Sequence, residues 1–138
     1  MTRLPLAAMA AGDIETVTSS YEALNRGDVD AAMDALAEDA VWRESEALPD
    51  TGTYQGRDAI RAFLTDFLAS WERFHQTIEE TREAGDKLAV FIHLEATGRG
   101  SAAEVDARYA HVWTLAGGRG VRVDAYYDRD EALAAIAA

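Results

Sequence analysis

The chain of 138 residues is 49% apolar and 28% charged and contains no cysteine. That balance suits one globular domain over 1–138 able to bury a core, and it excludes a disulfide framework or thiolate chemistry. Its 25 acidic and 13 basic side chains give a net charge of −12, which argues against nucleic acid or an anionic membrane as partner, since both attract basic surface.

No apolar run approaches the roughly 20 residues of a membrane span. The short apolar stretch 4–11 behind Arg3 reads as a lead-in to the first helix rather than a signal sequence, so a cytoplasmic protein is expected. Ile14, Val17, Tyr21 and Leu24 recur at helical spacing and predict a helix over 13–26, with Asp13 as N-cap and Gly27 as its stop. Asp28 then caps a second short helix with Ala32, Met33, Leu36 and Ala37 on its apolar face. A short strand follows over 40–44, with Val41 and Arg43 facing one way and Trp42 and Glu44 the other. Residues 45–55 read as a loop around Pro49, Asp50, Thr51 and Gly52.

Gly56 leads into a third helix whose apolar stripe holds Ile60, Phe63, Leu64, Phe67, Leu68 and Trp71. The remainder reads as an antiparallel meander of strands over 74–83, 87–97, 104–115 and 120–127, turned at Gly85-Asp86, at 98–101 and at Gly117-Gly118. Asp128, with Glu131 three residues on, resembles a capping box for a terminal helix. Helices gathered first and a meander after them imply an α+β fold.

Several segments resemble the SnoaL-like, ketosteroid-isomerase-like family of the nuclear transport factor 2-like superfamily. They are Tyr21-Glu22-Ala23-Leu24-Asn25-Arg26-Gly27-Asp28, Asp39-Ala40-Val41-Trp42-Arg43-Glu44, Gly52-Thr53-Tyr54-Gln55-Gly56-Arg57-Asp58-Ala59-Ile60, His111-Val112-Trp113-Thr114-Leu115 and Asp124-Ala125-Tyr126-Tyr127-Asp128. Their order and spacing cover nearly the whole chain. The resemblance implies a cone: a curved antiparallel sheet wrapped by three N-terminal helices around an apolar cavity, closed by a short C-terminal helix. It also implies a homodimer through the outer sheet face, and the apolar strand 88–94, which supplies both faces, agrees with that.

The resemblance places Glu44 where the isomerases carry their catalytic aspartate. A carboxylate in an apolar pocket has its charged form disfavoured, which tunes it toward general acid–base work near neutral pH. The competing reading is a rim carboxylate paired with Arg43, Arg57 or Arg61. Allowing one residue in the following turn, His111 falls where the isomerases carry the acid of their oxyanion site; the alternative is a buried neutral histidine. Tyr21 is one residue off the isomerases' first-helix tyrosine, whose matching position here is Ser20. One residue is about 100° of helix rotation, and Tyr21 also fits the apolar stripe of its helix, so its core reading leads.

Trp42, Trp113, Tyr109, Tyr127, Phe63 and Phe67 would form an aromatic wall, with core packing as their ordinary alternative. Tyr54 would close the mouth, with a surface packing role as its equal alternative. Asp124 is expected outside with Tyr126, by alternation from Val123, Ala125 and Tyr127, and no counterpart of the epoxide-hydrolase Asp-Arg-Asp set can be placed. His75 and His93 lack partners at metal-ligand spacing, so neither metal nor cofactor is expected.

Two readings remain open. One is a cofactor-independent isomerase, cyclase or dehydratase acting on a hydrophobic carbonyl compound through Glu44 and His111. The other is a non-catalytic module that binds a hydrophobic molecule or serves dimerisation.

Overall fold

The computed structural model describes residues 11–44, 52–100 and 103–137. The expected first helix is α1 (Ala11–Asn25), which buries Val17, Tyr21 and Leu24. Asp13 lies inside its first turn rather than at the cap, where its charge complements the positive helix end. The stop at Gly27 is as expected. Gly27 takes a φ of 77°, and the Gly27 and Asp28 N–H groups turn back onto the carbonyls of Leu24 and Ala23. This is a Schellman ending, which requires the left-handed backbone glycine tolerates.

Asp28 Oδ1 then accepts the Ala31 N–H at 3.0 Å and starts α2 (Val29–Met33). This helix is shorter than its apolar pattern implied. Leu36 and Ala37 open β1 (Leu36–Arg43), four residues ahead of the expected strand start. Leu36 is buried there because the chain has already joined the sheet, with the Gly120 N–H on Ala35 O at 2.7 Å.

The predicted loop 45–55 falls partly outside the described residues, and its end forms a strand, β2 (Thr53–Gln55), paired antiparallel to β1. Helix α3 (Arg57–Ala69) buries Ile60 and Leu64; Trp71, read as the end of its stripe, instead opens the next strand. The meander follows as β3 (Trp71–Ala84), β4 (Lys87–Gly98), β5 (Glu104–Ala116) and β6 (Arg119–Tyr126). The tip of the 98–101 turn extends beyond the described residues.

The six strands lie in the order β2-β1-β6-β5-β4-β3, and β1 pairs parallel to β6. The sheet is therefore mixed, since only the meander could be read as antiparallel from the sequence. One face, carrying Leu88, Val90, Ile92, Trp113 and Val123, packs against α1, α2 and α3. Alternation sends Ala89, Phe91, Ala110 and Val112 to the opposite face. There the final helix α4 (Arg129–Ala137) covers them with Ala132, Leu133 and Ile136. Asp128 Oδ1 accepts the Asp130 N–H at 2.8 Å and starts this helix. The two-faced apolarity of β4 is thus satisfied within the chain, and it does not by itself call for a second subunit.

Gly120 has a packing role. A Cβ built on it would lie 2.6 Å from Trp113 Cε3, so only glycine lets that indole lie flat on β6. Among the described residues no helix is long and apolar enough to cross a membrane.

Candidate functional site

Between the inner sheet face and the helices lies a cavity of about 380 Å³, within the usual range of small-molecule sites, roughly 300–1,000 Å³. Tyr21 and Leu24 of α1 line it, with Phe63, Leu64 and Phe67 of α3, Trp42 and Glu44 along β1, and Tyr109, His111 and Trp113 on β5. Tyr127 also lines it and is 45% exposed, which puts it at the opening. Of the catalytic and wall residues expected from the sequence, all but Tyr54 line this space. Tyr54 stacks on Phe63, with ring centres 4.4 Å apart, and so backs the wall rather than closing the mouth.

The deepest polar feature is a chain of three side chains. Trp113 Nε1–H donates to the Tyr21 hydroxyl at 2.8 Å, and that hydroxyl meets His111 Nδ1 at 2.6 Å. An indole nitrogen can only donate, so the Tyr21 oxygen accepts from it; that oxygen keeps a second lone pair, and the direction of its bond to His111 Nδ1 is set by the tautomer of the ring. In the tautomer that lets the Tyr21 hydrogen pair with Nδ1, His111 carries its proton on Nε2. Burial lowers the imidazole to about 3, because a charged ring would lie among apolar neighbours. At neutral pH His111 is therefore a neutral N–H donor. The same burial raises Tyr21 well above the usual phenol range. Tyr21 had read chiefly as core; it is buried and also forms the middle of this chain, while the Ser20 hydroxyl is held by Ala32 O at 2.9 Å.

Glu44 continues β1 on the Trp42 face, as alternation required. Its Oε1 accepts the Trp42 Nε1–H at 2.7 Å. Burial raises its pKa, and the indole bond opposes that in part. The arginines considered as its partners are engaged elsewhere: Arg43 with Asp124 at 2.7 Å, Arg57 on Leu36 O at 3.2 Å, and Arg61 with Asp30 at 3.4 Å. Trp42 joins the two ends of the site, since its ring also meets the His111 ring edge-on at 5.1 Å.

A second polar feature was not anticipated. Gln76, on the inner face of β3, is 5% exposed and lines the cavity. Its Nε2 donates to the Tyr109 hydroxyl, while its Oε1 meets no hydrogen-bond partner among the described residues. Leaving such an oxygen unpaired costs about 1–3 kcal/mol. An isolated glutamine in a polar strand carries no sequence signal of this kind; only the alternation from Phe74 and Ile78 hints that it points inward. The Trp71 Nε1–H is likewise buried without a partner, in a side chain that is partly exposed.

Asp124 lies on the outer face, as expected, held by Arg43 and by Arg122 at 2.8 Å. It takes no part in the cavity. Among the described residues no group of three or more His, Asp or Glu is arranged to hold a metal ion.

Solved structures with the same fold are numerous. An NTF2-like protein of unknown function from Burkholderia pseudomallei is 26% identical and superposes with a TM-score of 0.78, covering 94% of this chain and all of that one. TerC co-crystallised with polyporic acid is 21% identical, with a TM-score of 0.77 over 93% of this chain and 100% of its own. A Mycobacterium tuberculosis protein in complex with estradiol-17β-hemisuccinate is 21% identical, with a TM-score of 0.72 over 88% of this chain and 97% of its own. No curated protein sequence matches significantly. The model of the SnoaL-like domain matches residues 17–123, most of the cone from α1 to β6, and the chain belongs to that family.

Proposed function

We propose that this protein is a cofactor-independent general acid–base enzyme of the isomerase, cyclase or dehydratase type, acting on a hydrophobic carbonyl-bearing molecule. The observation that carries this reading is a carboxylate with a raised pKa in the same apolar cavity as a neutral histidine hydrogen-bonded to Tyr21.

Glu44 takes a proton from the carbon next to the carbonyl. Negative charge then moves to the carbonyl oxygen, where the His111 Nε2–H donates to it. A neutral donor suits this step, because it stabilises the developing charge without first forming an ion pair in the dark of the cavity. Glu44 returns the proton at another carbon in an isomerase, or to a departing hydroxyl in a dehydratase. Trp42, Phe63, Phe67 and Tyr109 position the ligand and exclude water. Turnover of a carbonyl substrate found by screening should fall about 10²–10⁴-fold in Glu44→Gln. Unchanged turnover in Glu44→Gln and His111→Ala would dismiss the assignment.

The second reading is a binding module that uses the same cavity without reaction. It is favoured by the mostly apolar, aromatic-rich lining and by the hydrophobic molecules in the TerC and Mycobacterium tuberculosis structures. Under it, Glu44→Gln leaves ligand affinity intact and no turnover is found.

A homodimer through the outer sheet face, in a cytoplasmic setting that suits a cysteine-free chain, completes the proposal. With α4 over the apolar part of that face, contact would use polar rows such as His93–Asp106 and Arg108–Glu79. A monomeric mass in sedimentation at micromolar concentration would remove it.

A further inference from the structure

Gln76 is held from two sides. Asn25, the last residue of α1, donates through Nδ2 to Gln76 O at 2.9 Å and accepts the Gln76 N–H through Oδ1 at 2.8 Å. Strand β3 is the sheet edge, so this pair satisfies backbone groups that no neighbouring strand reaches. The side-chain amide is fixed in turn by the Tyr109 hydroxyl, and Tyr109 is itself packed between His111, at 5.2 Å between ring centres, and Tyr127, at 6.0 Å. The result is a fixed amide in the cavity wall, whose other polar end is closed off and meets no partner among the described residues.

A buried amide oxygen held rigidly beside a ligand cavity favours a ligand that pairs with it over one that does not. Trp71 Nε1 is unpaired too, but it can only donate and its side chain is less buried. The amide of Gln76 can be turned either way round. In one orientation its oxygen is free and the Tyr109 O–H is left to donate; in the other its NH₂ is free. A hydroxyl group both donates and accepts, so it satisfies either orientation.

We propose that Gln76 and Tyr109 form a hydroxyl-recognition subsite, and that the molecule this cavity takes is an apolar ring system bearing an alcohol or phenol away from its carbonyl. The inference rests on the cavity being the ligand site proposed above, but not on Glu44 being a base. The carbonyl end meets Glu44 and His111, the hydroxyl end meets Gln76, and the aromatic residues between them hold the apolar body.

The test uses two probes of equal shape, 2-naphthol and 2-methylnaphthalene, titrated into the full chain and into Gln76→Leu with tryptophan quenching as readout. Comparing the ratio of the two dissociation constants between proteins cancels the difference in hydration of the probes. The expected result is a shift of about 10-fold against 2-naphthol in Gln76→Leu, as for the loss of one hydrogen bond to a buried group. In the unaltered chain, 2-naphthol and not 2-methylnaphthalene should move the Gln76 side-chain amide signals in a ¹H–¹⁵N spectrum, which supports the proposal even if the variant fails to fold.

An unchanged ratio with unmoved amide signals overturns it, because the amide is then satisfied by solvent alone. A ratio that collapses in Glu44→Gln but not in Gln76→Leu also overturns it, while leaving the cavity as a ligand site. Binding of neither probe overturns both readings. Loss of turnover in Glu44→Gln with an intact Gln76 effect supports both.

Discussion

Gly120 on β6 and the indole of Trp113 on β5 approach so closely that a single methyl group between them would sit 2.6 Å from the ring. Trp113 is 1% exposed and is the donor that begins the chain to Tyr21 and His111, so this contact sets the position of the site. Gly120→Ala is expected to lower stability by about 1–3 kcal/mol through overpacking. Urea unfolding measures the loss, and an altered tryptophan emission spectrum would mark the displaced ring. Unfolding that matches the parent protein would show that the sheet yields there at no cost.

Tyr21 accepts from buried Trp113 and shares a hydrogen bond with buried His111. In Tyr21→Phe the ring remains while Trp113 Nε1–H and His111 Nδ1 both lose their partner. Each unsatisfied group costs about 1–3 kcal/mol, so the variant should unfold at a clearly lower urea concentration despite its greater hydrophobicity. Parent-like stability would mean that the two groups find other partners.

Burial of Glu44 has opposite consequences for stability and for reaction. Its pKa in the folded protein is raised, so at pH 7.5 the charged form lies in surroundings that disfavour it, a penalty absent from the unfolded chain. Glu44→Gln keeps an acceptor for the Trp42 N–H and removes the charge. It should raise the urea midpoint at pH 7.5, and the gain should vanish as pH falls below the unfolded carboxyl value of 4.5. A lower midpoint at pH 7.5 would mean that the carboxylate is stabilised by contacts stronger than its desolvation.

For His111 the sign runs the other way. Its folded value near 3 lies below the ordinary 6.5. As pH falls from 6.5 toward 3 the unfolded chain takes up a proton that the folded one refuses. Its contribution therefore destabilises the fold with acid, by up to about 1.4 kcal/mol per pH unit. Long-range ¹H–¹⁵N spectra of the ring should show a neutral Nε2–H tautomer still at pH 5. A ring that is mostly imidazolium at pH 7 would refute the direction of the shift, and an Nδ1–H signal at pH 5 would refute the tautomer.

Much of the site was legible because period-two alternation is a property of the chain alone. Trp42 and Glu44 had to share a face, as did Tyr109, His111 and Trp113, and the helical spacing of Phe63 and Phe67 put both on the buried side of α3. Tyr21 shows where such reasoning ends. Its place in the helical stripe was correct, yet the stripe cannot tell a core phenol from one whose hydroxyl bridges an indole and an imidazole 90 residues or more along the chain. Gln76 shows the same limit more sharply, since its inward direction, its clamp by Asn25 and its free oxygen depend on three separated elements.

The sequence by itself determined the helices, the turns at Gly27 and Gly85, the meander and the two-faced apolarity of β4, because each is a matter of local backbone freedom and side-chain period. Only the tertiary structure decided that β1 runs parallel beside β6, that α4 covers Phe91, and that His111 is neutral while Glu44 pairs with Trp42 and with no arginine among the described residues. Those outcomes depend on which surfaces meet and how far water is removed from them. Desolvation and hydrogen-bond pairing between distant residues have no local pattern to be read.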